Sequence, residues 1–192
     1  DYKKDEVVFN DAIGSEGLTS VKDVLKEFPD ISIEFYNFNK VCAINLNSHS
    51  EQHFTSQGIN FEIINNPEDA PLPWTKVMIA AHGCSQEVQE ILEKHPEINY
   101  LKTSGNYVEI LKKGVDKGTG LLKLAEALGC KQKDTYAAGD GYNDVEMLIA
   151  SNGGFVPENG SQEALTVAKY VTSSNNDGCI AHSIEILNNL YK

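Results

Sequence analysis

Two carboxylates and an amide stand close together in the stretch Thr135-Tyr136-Ala137-Ala138-Gly139-Asp140-Gly141-Tyr142-Asn143-Asp144-Val145-Glu146-Met147-Leu148. It begins as a short apolar run of strand length, breaks at glycines, and resumes with helical spacing at Val145, Leu148 and Ile149. Asn143 or Asp144 suits the cap of that helix, because a short polar side chain accepts the unpaired N–H groups of a first turn. In a parallel α/β sheet such a strand-to-helix turn lies at the carboxyl ends of the strands, where ligands bind. Carboxylate oxygens there, between glycines that permit close approach, suit Mg²⁺ and a phosphate-bearing molecule. Turns and caps also use aspartate with no ligand at all, so spacing alone leaves both readings of Asp140 and Asp144 open.

A second stretch, Lys112-Lys113-Gly114-Val115-Asp116-Lys117-Gly118-Thr119-Gly120-Leu121-Leu122, places Lys117 just before a helix. An ammonium beside free helix N–H groups can hold a phosphate. The order Lys-Gly-Thr is not the Gly-Lys-Ser/Thr of a Walker A loop, and Gly118 and Gly120 follow no strand of a dinucleotide-binding unit. Taken by itself, Lys117 reads as a solvated lysine. His49 and His53, four residues apart with Glu51 between them, are a weaker metal candidate, since the order is not HExxH.

Taken whole, Gly-Asp-Gly-Tyr-Asn-Asp-Val-Glu-Met-Leu resembles GDxxND, the fourth signature of the haloacid dehalogenase (HAD) superfamily of phosphatases. Upstream, Gly-Val-Asp-Lys-Gly-Thr-Gly-Leu resembles the third, in which a lysine neutralises charge at the phosphoryl group. Asn159-Gly160-Ser161-Gln162-Glu163-Ala164, followed by Ala168-Lys169-Tyr170-Val171-Thr172 and Asp177-Gly178, resembles the close of Cof-type (class IIB) members. Gly160 and Lys169 depart from the usual form there, which leaves Asn159 without an assigned role. The resemblance is specific over residues 114–192. Residues 1–113 match only the size and strand–helix pattern of the family's C2-type cap.

The resemblance implies a Mg²⁺-dependent phosphatase of a small, sugar-phosphate-like metabolite, working through an aspartyl-phosphate. Asp140 and Asp144 would be the metal-binding carboxylates, Asp140 directly and Asp144 behind it or as a helix cap. Lys117 and Asn143 would bind the phosphate, and Lys117 and Asp140 would be the catalytic residues of this segment. The expected fold is α/β: the C-terminal half of a HAD Rossmann-like core (residues 114–192) plus an α+β C2-type cap (residues 1–113). The family's DxDx(T/V) nucleophile motif has no match here, because Asp1, Asp5, Asp11, Asp23 and Asp30 lack its spacing and leading strand. The chain is therefore expected to lack the N-terminal core half and to be inactive alone. The strand at 135–138 should then be left with an edge for that half, or another chain, to cover. Two other readings stand: a non-catalytic fragment that binds phosphate and Mg²⁺, and a piece of a P-type ATPase, whose GDGxND string continues differently.

The whole composition is compatible with this. In 192 residues the net charge is −12 with no basic cluster, which argues against nucleic acid and anionic membrane as partners. No apolar run approaches a membrane span and no signal-peptide pattern appears. Cys42, Cys84, Cys130 and Cys179 are scattered, as expected of free thiols in a cytoplasmic protein.

The elements that must position these residues follow from periodicity. Glu6–Phe9 reads as a strand, and Leu18, Val21, Val24, Leu25 and Phe28 as one helix face stopped by Pro29. Residues 31–35 and 40–46 alternate as a hairpin with one polar face, and a helix is weakly indicated near 51–57. A strand at 76–81, a helix around Val88–Leu92 and a hairpin turning at Ser104-Gly105-Asn106 complete an antiparallel α+β module. Beyond Gly114 helices and strands alternate: a helix over 121–128, strands at 135–138, 154–156 and 170–172, and helices at 144–150, 162–168 and 178–190.

Overall fold

The structure, a computed structural model, describes residues 3–103 and 106–192. It divides into two compact units, residues 9–115 and residues 116–192 together with the chain up to Val8. The expected turn at Ser104-Gly105 lies outside the described residues.

The first unit is a mixed sheet with helices. Helix α1 (Ser15–Glu27) buries Gly17, Ser20, Val21 and Val24 and closes where the Phe28 N–H donates to the Val24 carbonyl, just before Pro29. Strands β1 (Ile33–Tyr36) and β2 (Val41–Ile44) form the hairpin that their alternation predicts, turned by the Asn37 N–H on the Lys40 carbonyl. Helix α2 (Ser48–Gln57) follows, capped by the Asn47 side chain and ended by Gly58 in the left-handed conformation (φ 63°), then β3 (Glu62–Ile63). Strand β4 (Lys76–Ala80), helix α3 (Ser85–Leu92) and strands β5 (Ile98–Lys102) and β6 (Tyr107–Lys112) complete it. The sheet order is β3-β2-β1-β4-β6-β5. Ile33, Phe35, Val77, Ile79, Val108 and Ile110 project from one face into a core shared with Val21, Val24, Val88, Leu92 and Trp74.

Three expectations for residues 1–113 need correction. Glu6–Phe9 is not a strand, and Val7, Val8 and Phe9 are exposed; a short apolar run becomes a strand only if a neighbour pairs with it. The module is not wholly antiparallel, because β3 runs parallel to β2, a pairing that the crossover through α2 makes possible. The polar face of the hairpin does not face water either. Glu34 is fully buried, with Tyr36 and the α2 residue His53 bonded to its carboxylate.

The second unit alternates helix and strand as expected: α4 (Lys117–Ala127), β7 (Tyr136–Ala138), α5 (Val145–Ala150), β8 (Gly153–Pro157), α6 (Gln162–Val167), β9 (Tyr170–Thr172) and α7 (Cys179–Leu190). The three strands form a parallel sheet in the order β7-β8-β9, with Ala138 opposite Phe155 and Phe155 opposite Tyr170. Leu148, Val156 and Ala164 form its buried centre, with Leu165 and Val167 packed against them. Among the described residues β7 pairs with β8 alone and is an edge strand. No helix among the described residues is long and apolar enough to cross a membrane.

Candidate active site at the carboxyl ends of the parallel strands

Helix α4 starts at a reciprocal cap. The Asp116 carboxylate accepts the Thr119 N–H at 2.7 Å, and the Asp116 N–H donates to the Thr119 hydroxyl at 3.0 Å. Lys117 is thus the first helical residue rather than one ahead of the helix, which begins four residues before the expected Leu121. Gly118 follows because the backbone of the next helix is in the way: a Cβ there would stand 2.5 Å from the Glu146 carbonyl oxygen. The first turns of α4 and α5 therefore abut, and Lys117 Nζ donates to Asp144 Oδ1 at 2.5 Å.

Asp144 is the hub of the cluster. Its other oxygen, Oδ2, accepts the N–H groups of Asp140 and Gly141 at 3.0 Å each, folding the turn after β7 around the buried carboxylate. Gly139 is required by this closeness, since a Cβ would meet the Asp144 side chain at 2.5 Å. Burial alone would push the Asp144 carboxyl up. The hydrogen bonds from Lys117, Gly141 and Asp140 and the Lys117 charge outweigh it and hold the group below the usual carboxylate range. Asp144 is therefore an anion at neutral pH that orients the lysine and the Asp140 loop together.

Asp140 lies on the exposed side of this turn, its own backbone fixed at both ends. Its N–H donates to Asp144, and its carbonyl accepts the Ser161 N–H at 2.8 Å from the loop after β8. Asn143 is half-buried, with Oδ1 so near Gly141 that a Cβ there would stand 2.8 Å away. Lys117, Asp140, Asn143 and Asp144 thus share the end of the sheet that strand-to-helix turns occupy. Lys117 keeps about half its side chain exposed and commits one of its three N–H donors to Asp144, leaving the other two for a ligand.

The chemistry of this donor set suits Mg²⁺ only as part of its shell. Among the described residues no three His, Cys, Asp or Glu side chains group as a metal site, and both Asp144 oxygens are engaged. Mg²⁺ keeps several waters and binds through one or two carboxylates plus substrate phosphate, a role that the exposed Asp140 carboxylate fits.

His49 and His53 do not act as a pair. His53 Nδ1 lies 3.0 Å from Glu34 Oε2, whereas His49 stacks on His82 with ring centroids 3.7 Å apart. Sequence reasoning missed Ser161, Asn175 and Glu34. Glu34 sits in a clean alternating strand pattern that assigns it to water, and only the helix laid over that face reverses the assignment.

Fold and site together define an α/β protein whose charged side chains gather at the carboxyl ends of a parallel sheet. The family model of haloacid dehalogenase-like hydrolases matches residues 1–184, and the chain belongs to that family. It is 35% identical over 103 residues to a phosphoglycolate phosphatase of Methanosarcina acetivorans, covering 53% of this chain and 45% of the relative. It is 30% identical over 102 residues to a 5-amino-6-(5-phospho-D-ribitylamino)uracil phosphatase of Bacillus subtilis, covering 53% and 36%. A sugar phosphatase of HAD subclass IIB has a similar fold, with a TM-score of 0.85 at 19% identity over 96% of this chain and 71% of that one. A haloacid dehalogenase-like hydrolase from Bacteroides thetaiotaomicron gives 0.80 at 22%, over 97% and 71%. The matches thus span less than half of these two curated relatives.

Proposed function

We propose that this chain is the lysine- and metal-bearing part of a Cof-like, Mg²⁺-dependent phosphatase acting on a small phosphorylated metabolite of the sugar-phosphate kind. The observation that supports this reading is the hydrogen-bonded series Lys117–Asp144–Asp140, in which one buried carboxylate accepts both the lysine ammonium and the backbone N–H of the exposed Asp140. The relatives named above act on phosphate esters of small molecules, which supports the substrate class.

In this reading the Asp140 carboxylate is the metal ligand, and Asp144 supports it from behind by binding its N–H. Mg²⁺, when bound, would offset the repulsion between a carboxylate nucleophile and the phosphate. Lys117 places its two remaining N–H donors on the phosphoryl oxygens, where charge gathers as the group transfers. Asn143 helps to orient the phosphate. Residues 9–115 are read as the C2-type cap that selects the substrate. The aspartate nucleophile is supplied by a segment outside these 192 residues, or by another chain, whose strand adds to the open edge of β7. Four free cysteines are in keeping with a cytoplasmic enzyme.

The test is a Mg²⁺ titration of the 192-residue chain followed by amide NMR. Shifts centred on Gly139, Asp140 and Gly141 that vanish in Asp140→Asn are expected. Shifts that survive in that variant would remove Asp140 from the metal site.

A further inference from the structure

Beyond the residues that meet phosphate or metal, the loops after β8 and β9 are joined by a two-point clasp. Asn159 Nδ2 donates to Asn175 Oδ1 at 2.9 Å, and the Asn175 N–H donates to Asn159 Oδ1 at 3.0 Å. The clasp begins where the sheet ends. The last rung in line with the two strands is the Glu158 N–H on the Thr172 carbonyl at 3.0 Å. Both asparagines lie in exposed loops, where a side-chain hydrogen bond must compete with water, so a reciprocal pair holds better than a single bond.

What the clasp holds is the loop that supports Asp140. Asn159 is followed by Gly160, whose missing Cβ would stand 2.8 Å from Val156 Cγ1 and 3.1 Å from the Pro157 carbonyl oxygen. The tight Gly160 turn aims the Ser161 N–H at the Asp140 carbonyl, 2.8 Å away. Ser161 is held in turn as the cap of α6, its hydroxyl accepting the Ala164 N–H at 3.2 Å. On the other side, Asn175 sits on a loop that α7 anchors, since His182 Nδ1 accepts the Ser173 N–H at 3.0 Å. A continuous series runs from α7 through Asn175, Asn159 and Ser161 to the backbone of Asp140.

We propose that Asn159 and Asn175 are positioning residues for Asp140: their clasp laces the three carboxyl-end loops into one rim and sets where the Asp140 carboxylate stands. Asp144 fixes the N–H side of Asp140, and the clasp fixes the carbonyl side. The metal-ligand part of this inference rests on the function proposed above; the mechanical part does not.

The two parts are separated by measuring two quantities on the whole 192-residue chain. The first is amide hydrogen exchange of Ser161, with Phe155 and Val156 as controls inside β8. The second is the Mg²⁺ midpoint read from the Asp140 and Gly141 amides. Asn159→Ala removes both bonds and is expected to speed Ser161 exchange about tenfold, with the controls unchanged, and to weaken Mg²⁺ by about five- to tenfold. Asn175→Ala removes one bond and should give a smaller change. Asn175→Asp keeps an acceptor for Asn159 Nδ2 and should restore both readouts. Unchanged Ser161 exchange in Asn159→Ala would overturn the proposal, as would a Ser161 effect that leaves the Mg²⁺ midpoint of a metal-binding wild type unmoved. If wild type shows no Asp140-dependent Mg²⁺ response, the metal reading fails; faster Ser161 exchange in Asn159→Ala would then still uphold the clasp as what holds the Asp140 loop.

Discussion

Lys117 and Asp144 are 27 residues apart in the chain, and Lys117 Nζ meets Asp144 Oδ1 at 2.5 Å. The two ends of the pair are unequal. The Asp144 side chain is 8% exposed and holds two backbone amides as well, whereas Lys117 is 48% exposed. Removing each partner should therefore have unequal effects. Asp144→Ala leaves the Asp140 and Gly141 N–H groups without their acceptor beside a half-exposed lysine, and should lower stability by about 2–3 kcal/mol. Lys117→Met leaves Asp144 with its two amides and, after solvent screening, should cost about 1 kcal/mol. Urea unfolding of the two variants checks the order.

The same pair gives an acid signature. Asp144 has a folded-state value below its ordinary 3.8, so the folded state holds the proton less readily than the unfolded chain. Its contribution is complete above the unfolded value and is lost as the pH falls through about 4 and into the lower folded range. Stability measured from pH 6 downward should fall in that window for wild type and less steeply for Asp144→Asn. Equal slopes would show that Asp144 is not the group responsible.

Gly118 is the spacer on which the pair depends. In Gly118→Ala the new Cβ would meet the Glu146 carbonyl oxygen at 2.5 Å, so α4 must move away from α5. Overpacking of this kind costs about 1–3 kcal/mol. Because the shift also separates Lys117 from Asp144, Gly118→Ala and Lys117→Met should be less than additive in a double-mutant cycle. Full additivity would mean that Gly118 has no part in bringing the lysine to the carboxylate.

The unit of residues 9–115 should respond at a higher pH. Burial first, and the neighbouring His49 second, hold the His82 imidazole below its ordinary 6.5. The unfolded chain therefore takes up the proton before the folded one. The His82 contribution is complete above about pH 6.5 and is lost as the pH falls from there toward the folded value. Replacing His82 with Gln should flatten stability between pH 7 and 5. An unaltered profile would assign that slope elsewhere.

In protein that includes the segment bearing the nucleophile, Asp140→Ala should reduce Mg²⁺-dependent hydrolysis of an aryl phosphate by at least about a hundredfold. His49→Ala should leave it unchanged. The 192-residue chain alone should show no turnover. Robust Mg²⁺-dependent activity from the purified chain would mean that it carries its own nucleophile.

Much of the site was legible in the sequence because its signals are local. Gly-Asp-Gly before an apolar helical pattern marks a strand-to-helix turn, and Lys117 ahead of a leucine-rich run stands near a helix start; the Asp116 cap itself was not read from the sequence. Those two signals singled out Lys117, Asp140, Asn143 and Asp144 as candidates, and the βα alternation predicted a strand-to-helix turn for the last three. The strand over Tyr170–Thr172 and the helix up to Leu190 were equally readable from periodicity. Tertiary structure alone decided what depends on neighbours distant in the chain. Asp144 became the anchor of Lys117 because Gly118 lets two helices abut at the Glu146 carbonyl. Asn175 gained a partner because β9 lies beside β8. Val7, Val8 and Phe9 formed no strand, because an apolar run alone does not bring a neighbouring strand into register beside it. Glu34 went inside because α2 covers the face that its alternation assigns to water. Periodicity specifies which side chains share a face, whereas the chemistry of that face is set by whatever comes to lie against it.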